Sequence, residues 1–360
     1  MYTKRRERGP KTESKQGGGR RAAVLLISGA VLFVLFLLSH TFGRYSVPVA
    51  DVAKILFHRL WTLTGLDRVW PMTVTWEWQM ENAVINIRLP RILMAVLVGC
   101  SLSAAGATFQ GVFRNPMASP DILGASNGAA FGAALAILLG CSSRFITIFA
   151  FIGSIGTVAL VFLIAQRAPG LRVVNLIIAG IMVGSLFSAG TSYLKLVADP
   201  TNQLPAITYW LMGSLSGVRL EHVLPAAIPM ALGLVPLILL RWRLNLLSLG
   251  DSEARALGVN TDLLRAVLIL CATLIIAAAI SVSGVIGWVG LVIPHLSRKL
   301  IGSDNRGLLP CSCILGGAFL LLVDDVSRNL LATEIPIGIL TAVIGAPFFI
   351  YLLVRKEKTL

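Results

Sequence analysis

The stretch AVLILCATLIIAAAISV, residues 266–282, followed at once by SGVIGWVGLVIPH, residues 283–295, decides how this chain is read. The first part is an uncharged apolar run close to the ~20 residues that a helix needs to cross about 30 Å of hydrocarbon. The second part restarts after a glycine-rich turn and carries Pro294, so the run that it opens, 287–301, is too short to cross untilted. Irregular backbone of this kind survives in a bilayer only against other protein or a water-filled path.

Working outward, similar runs lie at 22–42, 92–113, 122–139, 145–165, 176–196 and 223–240 before this stretch, and at 308–323 and 335–354 after it. They predict an all-α, polytopic membrane protein of about ten transmembrane helices, with both termini on one side. Composition agrees: of 360 residues, 56% are hydrophobic and 13% charged, and the mean hydropathy is +0.82. That is more apolar surface than one water-soluble core can hide.

The formal net charge of +14 would point to nucleic acid in a soluble protein. Here the basic residues sit at the ends of apolar runs and in one tail, so topology is the better reading and no nucleic-acid partner is expected. A cytoplasmic N-terminus places 21 of the 31 Lys and Arg residues on that side, as the positive-inside rule asks. Residues 1–21 read as a disordered basic cytoplasmic tail, 22–354 as the transmembrane domain and 355–360 as a cytoplasmic C-terminal tail. The first apolar run lacks a small-residue cleavage site, so an uncleaved span is expected. Cys100, Cys141, Cys271, Cys311 and Cys313 form no CxxC pair and read as packing residues, with no metal site.

The segment 43–88 holds Ser46-Val47-Pro48 ahead of an amphipathic stretch, which predicts a capped helix lying along the membrane surface. Trp61, Trp70, Trp76 and Trp78 fall here, either as rings at headgroup level or as an aromatic ligand cage. Two further interruptions stand out. Arg114 to Asp121, with Pro116 and Pro120, is either a plain turn or part of a path. In 245–265, Ser248 and Asp251 predict a helix start, Gly258 its end, and Thr261 a second short helix. Such a knob is either a stable loop or an insert for a partner's cleft. At the Pro294 kink, His295 beside Arg298 and Lys299 is either a structural hydrogen-bonding residue or a metal or proton site. Small residues crowd 99–111, 124–140 and 180–190, the pattern of a tight bundle.

Six motifs in order resemble those of the FecCD permeases of ABC importers, which carry iron-siderophores, haem and cobalamin. They are Arg88-Leu89-Pro90-Arg91, Gln110-Gly111-Val112-Phe113-Arg114-Asn115-Pro116, Gly250 to Gly258, Gly290 to His295, Asp324 to Arg328, and Glu334-Ile335-Pro336-Ile337-Gly338. The resemblance covers roughly residues 88–355 and implies a BtuC-like permease fold. It also implies a homodimer around a central path, two cytoplasmic ATPase subunits that hold the ATP and Mg, and an external substrate-binding protein. This chain then has no catalytic residue and binds no cofactor, and the lack of a GxxxxGK[ST] phosphate loop agrees.

By the same resemblance, Arg88, Arg91 and Arg328 dock glutamates of the binding protein, the plainer alternative being that Arg88 and Arg91 snorkel to headgroups. Gly250, Asp251, Glu253, Ala254, Arg255, Leu257 and Gly258 form the ATPase-coupling helix. Asn115, Pro116, Met117, Val173 and Val174 form an apolar inner gate. Val173 and Val174 stand where the cobalamin permease has small hydroxylated residues, which counts against cobalamin as cargo. Family frequency favours an iron-siderophore, with haem and cobalamin behind it. An ion-driven secondary transporter would need carboxylates deep in its spans. Those here lie in loops or near span ends, with Asp324 and Asp325 expected to be solvated at the outer end of theirs. An intramembrane enzyme is disfavoured by the lack of an HExxH motif.

Overall fold

The computed structural model describes residues 11–43, 45–65 and 73–354, with no strand among them. Seven helical runs are long and apolar enough to cross a membrane. They are α1 (Lys11–Ser39, apolar from Gly19), the continuous run of α3 (Trp78–Asn82), a π-helical stretch (Ala83–Arg88) and α4 (Leu89–Val112), then α6 (Ser143–Arg167), α7 (Arg172–Val197), α9 (Leu220–Leu249), α11 (Thr261–Ser283) and α13 (Asn305–Asn329). Two shorter apolar helices, α5 (Ala125–Leu138) and α14 (Ile337–Val354), and the 13-residue α12 (Val289–Ile301) stand at the other three expected spans. The chain is an all-α polytopic membrane protein. Helices α2 (Val49–Leu63), α8 (Gln203–Leu211) and α10 (Asp251–Ala256) lie in the connections.

The connections gather on two faces. On the near face, which holds 114–124, 168–171, 250–260 and 302–304, Asp304 ties three helices together. It accepts from Arg21 at 2.6 Å, from Asn245 at 2.8 Å and from the Arg306 N–H at 3.0 Å, the last as the N-cap of α13. Partial burial opposes ionisation of this carboxyl, but the Arg306 N–H, Asn245 and Arg21 outweigh it and hold the group below the usual aspartate range. A depressed carboxyl stabilises the fold above the ordinary aspartate value, and the contribution is lost as pH falls through the lowered one. Asp304→Ala is expected to cost about 1 kcal/mol, mostly the lost cap, because the Arg21 partner is 44% exposed. Thermal unfolding in detergent at neutral pH checks this, and the difference from the parent should shrink on acidification.

Helix α1 starts at Lys11, inside the stretch expected to be a disordered tail. Extending a helix already nucleated by its membrane span adds a hydrogen bond for each residue fixed, which outweighs the weak propensity of Gly17, Gly18 and Gly19. Residues 1–10, the C-terminal tail 355–360 and Trp70 lie outside the described residues.

On the far face, α2 begins after Pro48 without a side-chain cap, so the predicted Ser46 cap does not form; the fixed φ of Pro48, −58°, sets the entry instead. Trp76 is buried in a small apolar cluster with Val47, Val52, Ile55, Val84 and Ile85, and its Nε1 donates to Glu81 at 3.2 Å. This ring packs a folded outer segment, whereas Trp78 is 73% exposed. Neither an expectation of four interfacial rings nor a single aromatic cage describes that division.

The bundle closes around α4, which packs most heavily on α13, α11 and α9. Gly99 meets Gly316 of α13, and Gly106 meets Gly290 at the start of α12. A methyl on Gly106 would stand 1.8 Å from the Gly290 carbonyl oxygen, so backbone touches backbone there.

That contact also explains the short span. Gly106 lies well along α4 from its far-face end, so α12 begins deep in the bundle. Its 13 residues rise only ~20 Å. The irregular chain 284–288 leads from the end of α11 to the start of α12. The irregular segments at 212–214 and 337–338 bond to one another and to the end of α11 just before it. Ser214 N–H donates to the Ser283 carbonyl at 2.7 Å, Ile337 N–H to Gly213 at 2.9 Å, and Gly338 N–H to Met212 at 3.0 Å. Trp288, with φ +70°, makes the turn into α12.

Candidate coupling, gate and ion-pair sites

Helix α9 runs on through Leu249, and Gly250 turns the chain into α10 with φ +126°. Ser248 hydrogen-bonds back to Leu244 and caps nothing, contrary to the expected Ser248–Asp251 start. The other end is as expected: Gly258 has φ +80°, its N–H reaches the Arg255 carbonyl, and the Val259 N–H reaches Ala254. Asn260 then accepts from the Leu263 N–H at 3.0 Å and opens α11 directly. There is one short helix in 245–265, not two, because this cap starts a 23-residue span.

Within α10 and its end, Leu257 is 62% exposed and Glu253 is exposed, while Ala254 is fully buried. Ala254 therefore packs the helix onto the bundle from beneath, and of the expected coupling residues Glu253, Arg255 and Leu257 carry the free surface. The carboxyl of Glu253 is held below its usual range by its own backbone N–H and then by the Ser252 hydroxyl at 2.8 Å.

Two carboxylates wire this knob to its surroundings. Asp251 accepts from Arg265 at 2.9 and 3.1 Å and lies 3.9 Å from Arg114. Asp262, at the start of α11, pairs with Arg172 at 2.9 Å and Arg255 at 3.3 Å, and Arg265 lies 3.8 Å away. Arg114 belongs to the Asn-Pro segment and Arg172 opens α7, so both expected gate segments are joined to α10 through ion pairs. Arg255 also donates to the Thr261 hydroxyl at 3.1 Å.

In the gate segments, Arg114 has φ +51°, a strained value for a side chain of this size. Asn115 folds the turn: its Oδ1 accepts from the Met117 N–H at 2.9 Å, while its own N–H reaches the Gln110 carbonyl. Asn115, Pro116, Met117 and Val174 are exposed, whereas Val173 packs against the core. Of the apolar gate candidates, Met117 and Val174 present the free surface.

At the far face the three arginines expected to be available for docking are buried, with 5, 8 and 8% exposure for Arg88, Arg91 and Arg328. Arg91 reaches Asp324 at 2.9 and 3.0 Å and Glu334 at 2.9 Å. Arg328 lies 3.6 Å from Asp324 and donates to Asp325 and Ser39, and Arg88 donates to the carbonyls of His40 and Tyr45. Asp324 is wholly buried rather than solvated. Arginines neutralise it in place of water, because a charge at this depth must be paired.

Pro294 removes the N–H that would bond the Gly290 carbonyl, and the Gln110 amide points at that oxygen from 3.5 Å. His295 sits beside Phe348 and Phe349, ring centroids 6.4 and 6.3 Å away. Among the described residues no group of three His, Cys, Asp or Glu side chains is placed to hold a metal.

Sequence reading missed the partners rather than the places. Arg91 and Asp324 are 233 residues apart, and no local spacing marks them as a pair. Asp262 with Arg265 on α11, and Asp324 and Asp325 with Arg328 on α13, lie three or four residues apart on one helix face and carried a visible signal. A polar pocket between α5 and α7, around Lys195, carried none.

Comparison with known proteins gives this arrangement its family. A model of the FecCD transport family matches residues 31–355. The chain is 40% identical over 328 residues to the molybdate import system permease protein MolB of Haemophilus influenzae, covering 91% of this chain and 94% of that one. It is 44% identical over 274 residues to a probable iron chelatin transport system permease protein of Helicobacter pylori, covering 76% and 83%. A solved metal-chelate type ABC transporter in an inward-facing conformation superposes with a TM-score of 0.81 at 38% identity, over 93% of this chain and 99% of that one. The chain belongs to the FecCD transport family, the permease component of ABC importers whose ATPase is a separate subunit.

Proposed function

We propose that two copies of this chain form the path of an ATP-driven importer for a metal chelate, with an iron-siderophore as the favoured cargo. Both termini lie in the cytoplasm, the near face receives two ATPase subunits carrying ATP and Mg, and the far face receives an external binding protein. The chain itself binds no cofactor. The observation that carries this reading is the knob at α10, which offers Leu257 and Glu253 outward and is joined by Asp251 and Asp262 to both gate segments. Exposed Met117 and Val174 then close the path apolarly, without holding cargo.

The iron-chelate assignment is supported by the name of the Helicobacter pylori relative. A second reading, molybdate, is favoured by the Haemophilus influenzae relative. Haem and cobalamin follow as alternatives within the family. An ion-driven secondary transporter is disfavoured because Asp324, the deepest candidate for ion coupling, is fixed between Arg91 and Arg328. Proteoliposomes holding the chain, its ATPase and its binding protein should accumulate a ferric siderophore only with ATP inside the compartment that the near face meets. Uptake driven by an ion gradient without the ATPase would overturn the proposal, and ATP-driven uptake of molybdate alone would select the second reading.

A further inference from the structure

We infer that the pocket between α5 and α7 binds an anionic oxygen ligand, with the Lys195 ammonium as its charge partner. The cavity holds about 300 Å³, and Asn127, Ser188, Thr191, Ser192 and Lys195 supply its polar walls. Ser188, Thr191, Ser192 and Lys195 fall at helical spacing along one face of α7, so their polar groups converge on one side. Asn127 comes from the first turn of α5, and Leu211 at the end of α8 and Val285 in the irregular chain after α11 close the cavity.

Charge decides the ligand class. Lys195 is half-buried in the last turn of a transmembrane helix and forms no ion pair among the described residues. No Asp or Glu lines the cavity. Asp199, one turn on from Lys195, accepts from the Asn202 N–H at 2.8 Å, and Asp121, behind the cavity wall, accepts from the lining residue Ser126. At comparable depth Arg91 and Arg328 each meet carboxylates. Lys195 instead faces an open volume with the Asn127 amide and the Ser188 hydroxyl beside it, while the Thr191 and Ser192 hydroxyls donate to the Phe187 and Ser188 carbonyls of their own helix. The ammonium and the amide are thus the donors offered to a ligand bearing anionic oxygens. A cation placed in a transmembrane segment facing a polar cavity marks a substrate path.

The inference rests on the import reading and sharpens it: the cargo presents anionic oxygen, whether as a free tetrahedral oxyanion or as the carboxylate shell of a chelate. Two probes separate these sources, molybdate and ferric citrate. Binding of each to the purified chain in detergent is measured for the parent, Lys195→Met and Lys195→Arg, alongside ATP-driven uptake in proteoliposomes. The parent is expected to bind one probe, Lys195→Met to bind it about tenfold or more weakly, and Lys195→Arg to keep most of the affinity. Basal ATP hydrolysis, which reports assembly, should be unchanged in all three. Equal binding by parent and Lys195→Met, or binding of neither probe by the parent, overturns the inference while leaving import intact. Binding that depends on Lys195 with no ATP-driven uptake of either probe or of a ferric siderophore overturns the import reading and leaves the anion site standing.

Discussion

Asp324→Ala is expected to lower the stability of the folded chain by about 3 kcal/mol or more, because it leaves two guanidinium groups short of a carboxylate they meet out of water. Asp324 is wholly buried, and the side chains of Arg91 and Arg328 are each 9% exposed. Glu334 and Asp325 remain beside them, which is why the loss is put at the lower end for a broken buried pair. The double variant Arg91→Met with Asp324→Leu should recover part of the loss by removing both charges together. Unfolding in detergent followed by near-ultraviolet dichroism measures it, and a single variant that melts with the parent would refute the buried cluster. The same cluster changes how a docking experiment has to be built. Arg91→Glu would set a fourth carboxylate among Asp324, Asp325 and Glu334, so lost uptake in that variant would report lost folding. A docking test belongs on exposed far-face residues such as Arg219, whose side chain is 76% exposed.

Asp262→Ala is expected to leave the fold almost untouched and to uncouple the assembled importer. Its partners Arg172 and Arg255 are more than half exposed, so each pair contributes less than about 1 kcal/mol to stability. Its position matters more than its energy, since among the described residues it is the one carboxylate paired with both the α10 knob and the start of α7. The transported cargo per ATP hydrolysed should fall several-fold while hydrolysis continues. Exchanging the charges, Asp262→Arg with Arg172→Asp, should restore part of the ratio. An unchanged ratio in Asp262→Ala would separate the knob from the gate.

Most of the architecture was legible because hydrocarbon imposes a length and a polarity on every span, and runs such as 266–282 satisfy both without reference to any neighbour. What was illegible depended on neighbours. The direction of Ala254 is set by how α10 rests on the bundle, and an Ala/Leu face in sequence does not say which side is down. The burial of Arg91 and Arg328 follows from α13 packing on α4 and on α1, contacts that join residues more than two hundred positions apart, and that of Arg88 from the chain at His40 and Tyr45 folding back over it. The site was therefore found as a set of places, with its wiring hidden. Ser248 shows the same limit locally: a residue suited to capping was overruled because α9 simply continued past it.

The depth at which α12 begins has a consequence for how the protein is made. Thirteen residues with Arg298 and Lys299 in the last turn, preceded by the irregular chain 284–288, cannot partition into lipid as an independent unit. The segment has to be held at the insertion machinery, or in the aqueous vestibule beside it, until α4 offers the glycine groove and α13 emerges to cover the other side. Biogenesis of this chain is thus ordered, with α12 the last of its neighbours to leave water, and a nascent chain truncated before α13 should leave that segment accessible to water-soluble thiol reagents at an introduced cysteine.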